Sequence, residues 1–297
     1  MTVYRPHRRL RWLALLALLA AVAFAFILRG SGGAQAIDAS EFSPGACVAY
    51  PATSGNRNET VFLDAGHGGI DPGAVGSTES GHAVYEADVT LPIELDAMRL
   101  LTAQGFRVVV SRTRAESVVR LTNADVSGGG LTAAGVHNDV AARDICANEA
   151  GANILIGIYM DAGDGGAGSL TGYDADRPFA AANLRLAGLV QDDVLAAMNA
   201  QGWQIPDRGV QPDTGLGSVS DPGSVLAGKA EAYGHLLLLG PADPGFVSTP
   251  SRMPGALIEP LFITDPFEGS IADSAHGQEV IASGIARAVE QYFTAHG

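Results

Sequence analysis

The stretch Val61-Phe-Leu-Asp-Ala-Gly-His-Gly-Gly-Ile-Asp-Pro-Gly-Ala74 decides how the rest of the chain is read. Its apolar start predicts a buried strand over residues 60–65. The Gly66-His67-Gly68-Gly69 run that follows predicts a loop whose backbone lets other atoms come close. A histidine delivered in this way is placed to touch something. The same alternation continues downstream. A helical pattern carrying Val89, Ile93, Leu100 and Leu101 follows Glu86, and it accepts Pro92 only in its first turn. Residues 106–111 read as a strand and 112–135 as a polar, glycine-rich loop. A helix is expected over 136–150, a buried strand over 153–159, a glycine-rich loop over 162–168, an edge strand over 169–173 and a helix over 180–202. Two more strands are expected, at 235–239 and 256–259. A C-terminal helix follows, with Val280, Ile281, Ile285, Val289 and Phe293 on one stripe.

Strands alternating with helices, several of them continuous apolar runs, predict a single α/β domain. Its sheet is expected to be mostly parallel and twisted, with helices covering both faces. Ligand sites in such sheets gather at the carboxyl ends of the strands. His67, the Tyr159-Met160-Asp161 segment and Glu259 all fall there.

At 297 residues and 47% hydrophobic content, the chain can bury a large core. A net charge of −14 argues against nucleic acid as a partner, since a phosphate-binding surface needs a basic field. Residues 1–36 carry Arg5, Arg8, Arg9 and Arg11 before an uncharged apolar run from Trp12 to Leu28, and end in Ala34-Gln35-Ala36. That pattern is an export signal or, the run being close to spanning length, a membrane anchor. Either way the rest of the chain is expected outside the cytoplasmic membrane, with membrane contact through this segment only. Residues 37–59 read as a linker bearing Cys47, and residues 60–297 as the folded domain, expected to be a monomer. The two cysteines, Cys47 and Cys146, are expected to pair in an exported protein, tying the linker to the domain.

Zinc takes imidazole and carboxylate ligands, and a catalytic zinc site leaves room for a water whose acidity the metal raises. A carboxylate outside the coordination shell then accepts that proton. On this logic His67 and Glu86 are ligands and Glu259 is the base. Bland readings compete with each: a histidine bonded within its own loop, a glutamate in a helix's first turn, and a charge on a surface loop.

Several motifs narrow the choice: Leu63-Asp-Ala-Gly-His-Gly-Gly-Ile-Asp-Pro-Gly-Ala74, Glu86, Ser111-Arg112-Thr113, Arg143 with Ala147-Asn148, Asp207-Arg208-Gly209-Val210, and Leu257-Ile-Glu-Pro-Leu-Phe262. Together and in this order, the chain resembles the zinc-dependent N-acetylmuramoyl-L-alanine amidases of the type 3 family. The resemblance implies a peptidoglycan hydrolase that cuts the amide between N-acetylmuramic acid and L-alanine of the stem peptide. It implies His67 and Glu86 as zinc ligands and Glu259 as catalytic base.

One position departs from that pattern. Relatives carry a third ligand, a histidine, where this chain has Tyr159 in Gly157-Ile158-Tyr159-Met160-Asp161. A phenol is a poor zinc ligand at neutral pH unless the metal strongly lowers its pKa. Three possibilities stand open: Tyr159 ligates as phenolate; Asp161, His82 or His137 substitutes; or the site binds metal weakly or not at all. In the last case the chain is an impaired amidase-like protein that binds peptidoglycan or regulates wall remodelling. The arginines Arg112, Arg143 and Arg208 read as partners of local carboxylates.

Overall fold

β3 (Thr60–Ala65) lies in the middle of an eight-stranded sheet and delivers its carboxyl end to the Gly66-His67 loop. The computed structural model describes residues 34–37, 40–214, 216 and 225–294. Most of the segment read as a signal or anchor lies outside these residues. Among the described residues no helix is long and apolar enough to cross a membrane.

The other strands are β1 (Gln35–Ala36), β2 (Ala46–Tyr50), β4 (Arg107–Arg112), β5 (Ile154–Ile158), β6 (Ser169–Tyr173), β7 (Asp207–Pro212) and β8 (Gly255–Glu259), in the spatial order β1-β2-β4-β3-β5-β8-β6-β7. The pairs β3–β4, β3–β5, β5–β8 and β6–β7 are parallel, whereas β1–β2, β2–β4 and β8–β6 are antiparallel. The α/β sheet is therefore mixed but mostly parallel. Helices α1 (Glu86–Ala103), α2 (Ala133–Glu149), α3 (Ala180–Asn199), α4 (Val225–Tyr233), α5 (Pro266–Ala272) and α6 (Ala275–Thr294) complete it.

Side chains on the central strands alternate between two cores, as a period of two requires. Val61, Leu63, Val108, Val110, Ile154, Ile156, Ile158, Ala256 and Ile258 pack with apolar residues of α1, α3, α5 and α6. Phe62, Val109, Leu155 and Leu257 point the other way, onto Ala142, Cys146 and Ala147 of α2 and onto Leu238 and Leu239. Both faces are covered, which explains why these strands are continuous apolar runs in the sequence.

Four expectations need correction. The Cys47 segment is part of the sheet: β2 pairs with β4 from Ala46↔Arg112 to Tyr50↔Val108, and a disulfide joins Cys47 to Cys146 on α2. Residues 235–239 form a turn, because Leu238 and Leu239 fill the notches that Gly157 and Gly255 leave on the sheet instead of pairing with a strand. The edge strand is β7, which leaves β6 between it and β8. Finally, α1 begins at Glu86 and carries Pro92 in its interior.

Candidate active site

His67 takes φ +60°, a left-handed conformation that costs a residue with a Cβ about 1–3 kcal/mol and persists only where its surroundings hold it. Two buried arginines do so. Arg143 on α2 donates from Nη1 to Asp64 Oδ1 and to the Ala65 carbonyl (2.7 Å), and from Nη2 to the His67 carbonyl (2.8 Å) and to Asp139 Oδ2 (2.7 Å). Arg112, the last residue of β4, donates to the carbonyls of Ala65 (3.2 Å), Gly66 (3.2 Å) and Ala87 (2.7 Å). The carbonyls of Ala65, Gly66 and His67 are thereby satisfied, and His67 is held at the end of β3.

The ring of His67 is engaged on both sides. Nδ1 lies 2.8 Å from Asp71 Oδ2, and Nε2 lies 3.1 Å from Glu86 Oε2. Glu86 is fixed in turn: its Oε1 accepts from the Met160 N–H and its Oε2 from the Ala74 N–H, each at 2.9 Å. Gly73 is required beside the pair, since a Cβ there would sit 2.6 Å from Glu86 Oε2 and 2.7 Å from His67 Cδ2. Burial alone would lower the His67 pKa, but hydrogen bonds and charge from Asp71 and Glu86 raise it to about 10. Without a cation the imidazole is held as a proton-bearing link between two carboxylates.

These two residues fit zinc. A metal-binding imidazole donates its second N–H to a carboxylate, which sets the tautomer and aims the other nitrogen outward. Asp71 makes that contact with His67. A separation of 3.1 Å between Nε2 and Oε2 is also what two ligands can span on one cation at bond lengths of about 2.0–2.2 Å.

Position 159 is occupied differently. The Tyr159 hydroxyl donates to Asp64 Oδ2 at 3.1 Å, and its ring meets His67 edge-on at 5.5 Å between centroids. Burial first, and then the Asp64 charge, push the phenol well above its ordinary pKa. It stands as a neutral donor to Asp64. Asp161 is paired with Arg208 through Oδ2, and its Oδ1 accepts from the Ala162 N–H at 2.7 Å. His82 is turned toward Asp273, with 4.0 Å between Nε2 and Oδ2, and His137 Nε2 lies 2.7 Å from the Phe246 carbonyl.

Glu259 ends β8 beside these groups. Its pKa is raised to about 8 by burial first and then by the charges of Asp161 and Glu86, with Arg208 opposing. His67, Glu86 and Glu259 therefore converge at the carboxyl ends of the sheet. The residues the sequence did not single out are those that hold them: Asp71, Asp64 and Asp139. Asp71 lies four residues after His67 in the same loop and was legible as a neighbour. Asp139 and Arg143 are an i,i+4 pair on α2, whereas the Asp64–Arg143 half of the link joins elements too far apart in sequence to leave a signal.

Among the described residues, the one group of three or more His, Cys, Asp or Glu donors that could close on a single ion is elsewhere. It comprises Asp174, Asp213 and His235, with ligand atoms all within 4.8 Å of one another.

Residues 61–291 match the family model described as N-acetylmuramoyl-L-alanine amidase. Among solved structures, the fold is similar to an N-acetylmuramoyl-L-alanine amidase from Clostridium difficile 630, with 26% identity, a TM-score of 0.54, and coverage of 82% of this chain and 100% of that one. It is also similar to the CwlD amidase from Clostridioides difficile, with 21% identity, a TM-score of 0.59, and coverage of 80% and 100%. The probable cell wall amidase LytH of Staphylococcus aureus is 35% identical over 83 residues, 28% of this chain and 27% of that protein's length.

Proposed function

The chain belongs to the N-acetylmuramoyl-L-alanine amidase family, and from that premise we propose that it hydrolyses the amide joining N-acetylmuramic acid to L-alanine in peptidoglycan. The observation that carries this reading is the convergence of His67 Nε2 and Glu86 Oε2 at 3.1 Å, each with its outer atoms already bonded, with Glu259 alongside. His67 and Glu86 would hold a zinc ion, which when bound would supply Lewis-acid polarisation of the scissile carbonyl. Glu259 takes a proton from the attacking water and returns it to the departing alanine nitrogen. The amide C–N bond breaks, the water oxygen stays on the lactyl carbonyl carbon, and the second water proton passes to the released amine, leaving a carboxylate and an ammonium. With positive charge bound at Glu86, Glu259 would titrate lower than burial and its neighbours now set it and would serve as a base at neutral pH.

His67 and Glu86 are the only protein ligands in this reading. Tyr159 is spent on Asp64 and Asp161 on Arg208, so zinc would be held weakly and activity would follow the free zinc concentration. The Trp12–Leu28 segment carries the domain across the membrane, and the protein acts on the wall from outside, as a monomer.

The test is release of N-terminal alanine from purified cell wall over a zinc titration, by wild type and Glu259→Gln. Zinc-dependent release that falls about 10²–10⁴-fold in the variant supports the reading. No release by wild type at saturating zinc, together with retained wall binding, overturns it in favour of a non-catalytic peptidoglycan-binding protein.

A further inference from the structure

Asp174 follows β6 directly and Asp213 follows β7 directly, and these two strands run parallel. Because β6 is antiparallel to β8, their carboxyl ends lie at the opposite end of the sheet from Glu259. The turn after α4 brings His235 to the same place. Both carboxylates are fully buried, and His235 has 13% of its side chain exposed.

The oxygens of the two aspartates have divided roles. Asp174 Oδ1 accepts from the Asp176 N–H at 2.7 Å, and Asp213 Oδ2 accepts from the Leu236 N–H at 3.0 Å. The remaining oxygens both face His235 Nδ1: Asp213 Oδ1 at 3.3 Å, and Asp174 Oδ2 at 2.9 Å but without hydrogen-bond geometry. Asp174 Oδ2 is thus a buried carboxylate oxygen with no hydrogen-bond partner, directed into the cluster. Two buried carboxylates side by side need positive charge close by. Arg177 gives its donors to the carbonyls of Leu239, Gly240 and Ser251 instead. Asp176, 3.7 Å from His235 Nε2, adds further negative charge.

We propose that Asp174 Oδ2, Asp213 Oδ1 and His235 Nδ1 bind a divalent cation of the zinc class at a second site, separate from the His67–Glu86 centre. Separations of 2.9 and 3.3 Å between donors are those of neighbouring ligands around one ion at about 2.0–2.2 Å. One imidazole with two carboxylates suits zinc better than calcium or magnesium, which take oxygen ligands alone. His235 and Tyr233 also line a cavity of about 410 Å³ that opens to the surface, a path by which an ion reaches the cluster. The ion ties the ends of β6 and β7 to the turn at 235–239, which packs on the face of the sheet holding α2. Its role is structural, since no catalytic group of the first centre touches it.

The test uses the full-length chain with Glu86→Gln, which silences the first centre. Zinc per chain is measured by equilibrium dialysis with elemental analysis, and melting temperature with and without zinc. The site predicts one zinc per chain in Glu86→Gln, with a melting temperature that rises on adding zinc. Adding Asp174→Asn or Asp213→Asn should weaken binding at least about 100-fold and abolish the rise, while the metal-free melting temperature stays within a few degrees. Absence of zinc from Glu86→Gln overturns the site. So does binding that Asp174→Asn and Asp213→Asn both leave unchanged. A marked metal-free loss of stability in Asp213→Asn, with no response to zinc, would assign the cluster to a His235 imidazolium and also overturn it.

Discussion

Replacing Tyr159 with histidine should tighten zinc binding at the proposed His67–Glu86 centre. In the metal-free protein the substitution removes the hydrogen bond from the Tyr159 hydroxyl to Asp64 Oδ2, a bond to a charged acceptor worth about 1.5–3 kcal/mol. Asp64 keeps Arg143 through its other oxygen, so the loss stays local. For a domain of this size, about 2–4 °C of melting temperature follows each kcal/mol, and the metal-free variant should melt several degrees lower. The gain appears only with metal. The ring at position 159 already lies against His67, so an imidazole there adds a third ligand to the pair. Loss of an outer partner alone costs a metal site about 10–100-fold in affinity, and a direct ligand contributes at least that much. At a free zinc concentration 100 times the variant's Kd, linkage adds about 2.7 kcal/mol, or about 5–11 °C. Wild type, at or below its own Kd in the same solution, gains no more than about 0.4 kcal/mol.

The measurement is a zinc-dependent melting series with elemental analysis, made in an Asp174→Asn background so that the second cluster contributes nothing. A wild type that already holds one zinc as tightly as Tyr159→His would refute the two-ligand reasoning. So would a variant with no added response to zinc.

Asp71→Asn should weaken zinc binding about 10–100-fold, read by competition with a chelating dye, because it removes the carboxylate that fixes the His67 ring through Nδ1. Replacing both Cys47 and Cys146 by alanine should cost about 2–5 kcal/mol in urea unfolding, since the disulfide closes a loop with a sequence separation of 99. An unchanged denaturation midpoint would show that the β2–α2 link is not needed to hold the sheet edge. Glu94 is buried beneath the site with Oε2 unpaired, and burial raises its pKa to about 8. A carboxyl whose folded pKa lies above its unfolded value stabilises the protein most below the unfolded value and progressively less as pH rises through the folded one. Wild-type stability should therefore fall between about pH 5 and pH 8, on the order of a few kcal/mol. Glu94→Gln should flatten that fall, and an identical pH profile would count against the assignment.

Much of the fold was legible because the central strands are buried on both faces. The expected strand at 60–65 coincides with β3, and alternation between two cores keeps every residue of it apolar or tied into the site. What misled was apolarity without pairing. Leu236-Leu-Leu-Leu239 has the composition of a strand, yet it serves as filling for Gly157 and Gly255, a relation between distant segments that periodicity does not encode. The converse error concerns β7, whose Asp207-Arg208-Gly209-Val210 start is too polar to suggest a strand. It is the exposed edge of the sheet, where the requirement for apolar residues lapses.

The proposed site divides into residues that local pattern singled out and the support behind them, which it did not. His67 and Glu259 stand at strand ends, where an α/β sheet gathers ligands, and Glu86 starts the helix that follows the His67 loop. The network behind them depends on contacts across more than seventy residues, such as Arg143 with Asp64, which no local pattern predicts. That network explains Tyr159. Its hydroxyl bonds the same Asp64 that Arg143 pairs with, and Arg143 in turn holds the His67 carbonyl. The phenol thus braces the left-handed turn at His67, and a close approach by Gly66, where a Cβ would sit 2.5 Å from the Tyr159 ring, gives the ring its space. A phenylalanine at 159 would keep the ring packing and drop the brace. If the hydroxyl's work is to position His67, Tyr159→Phe should weaken zinc binding while leaving the number of zinc ions at saturation unchanged. A hydroxyl that ligated the metal would instead predict loss of the ion and of any phenolate absorbance that zinc induces in wild type.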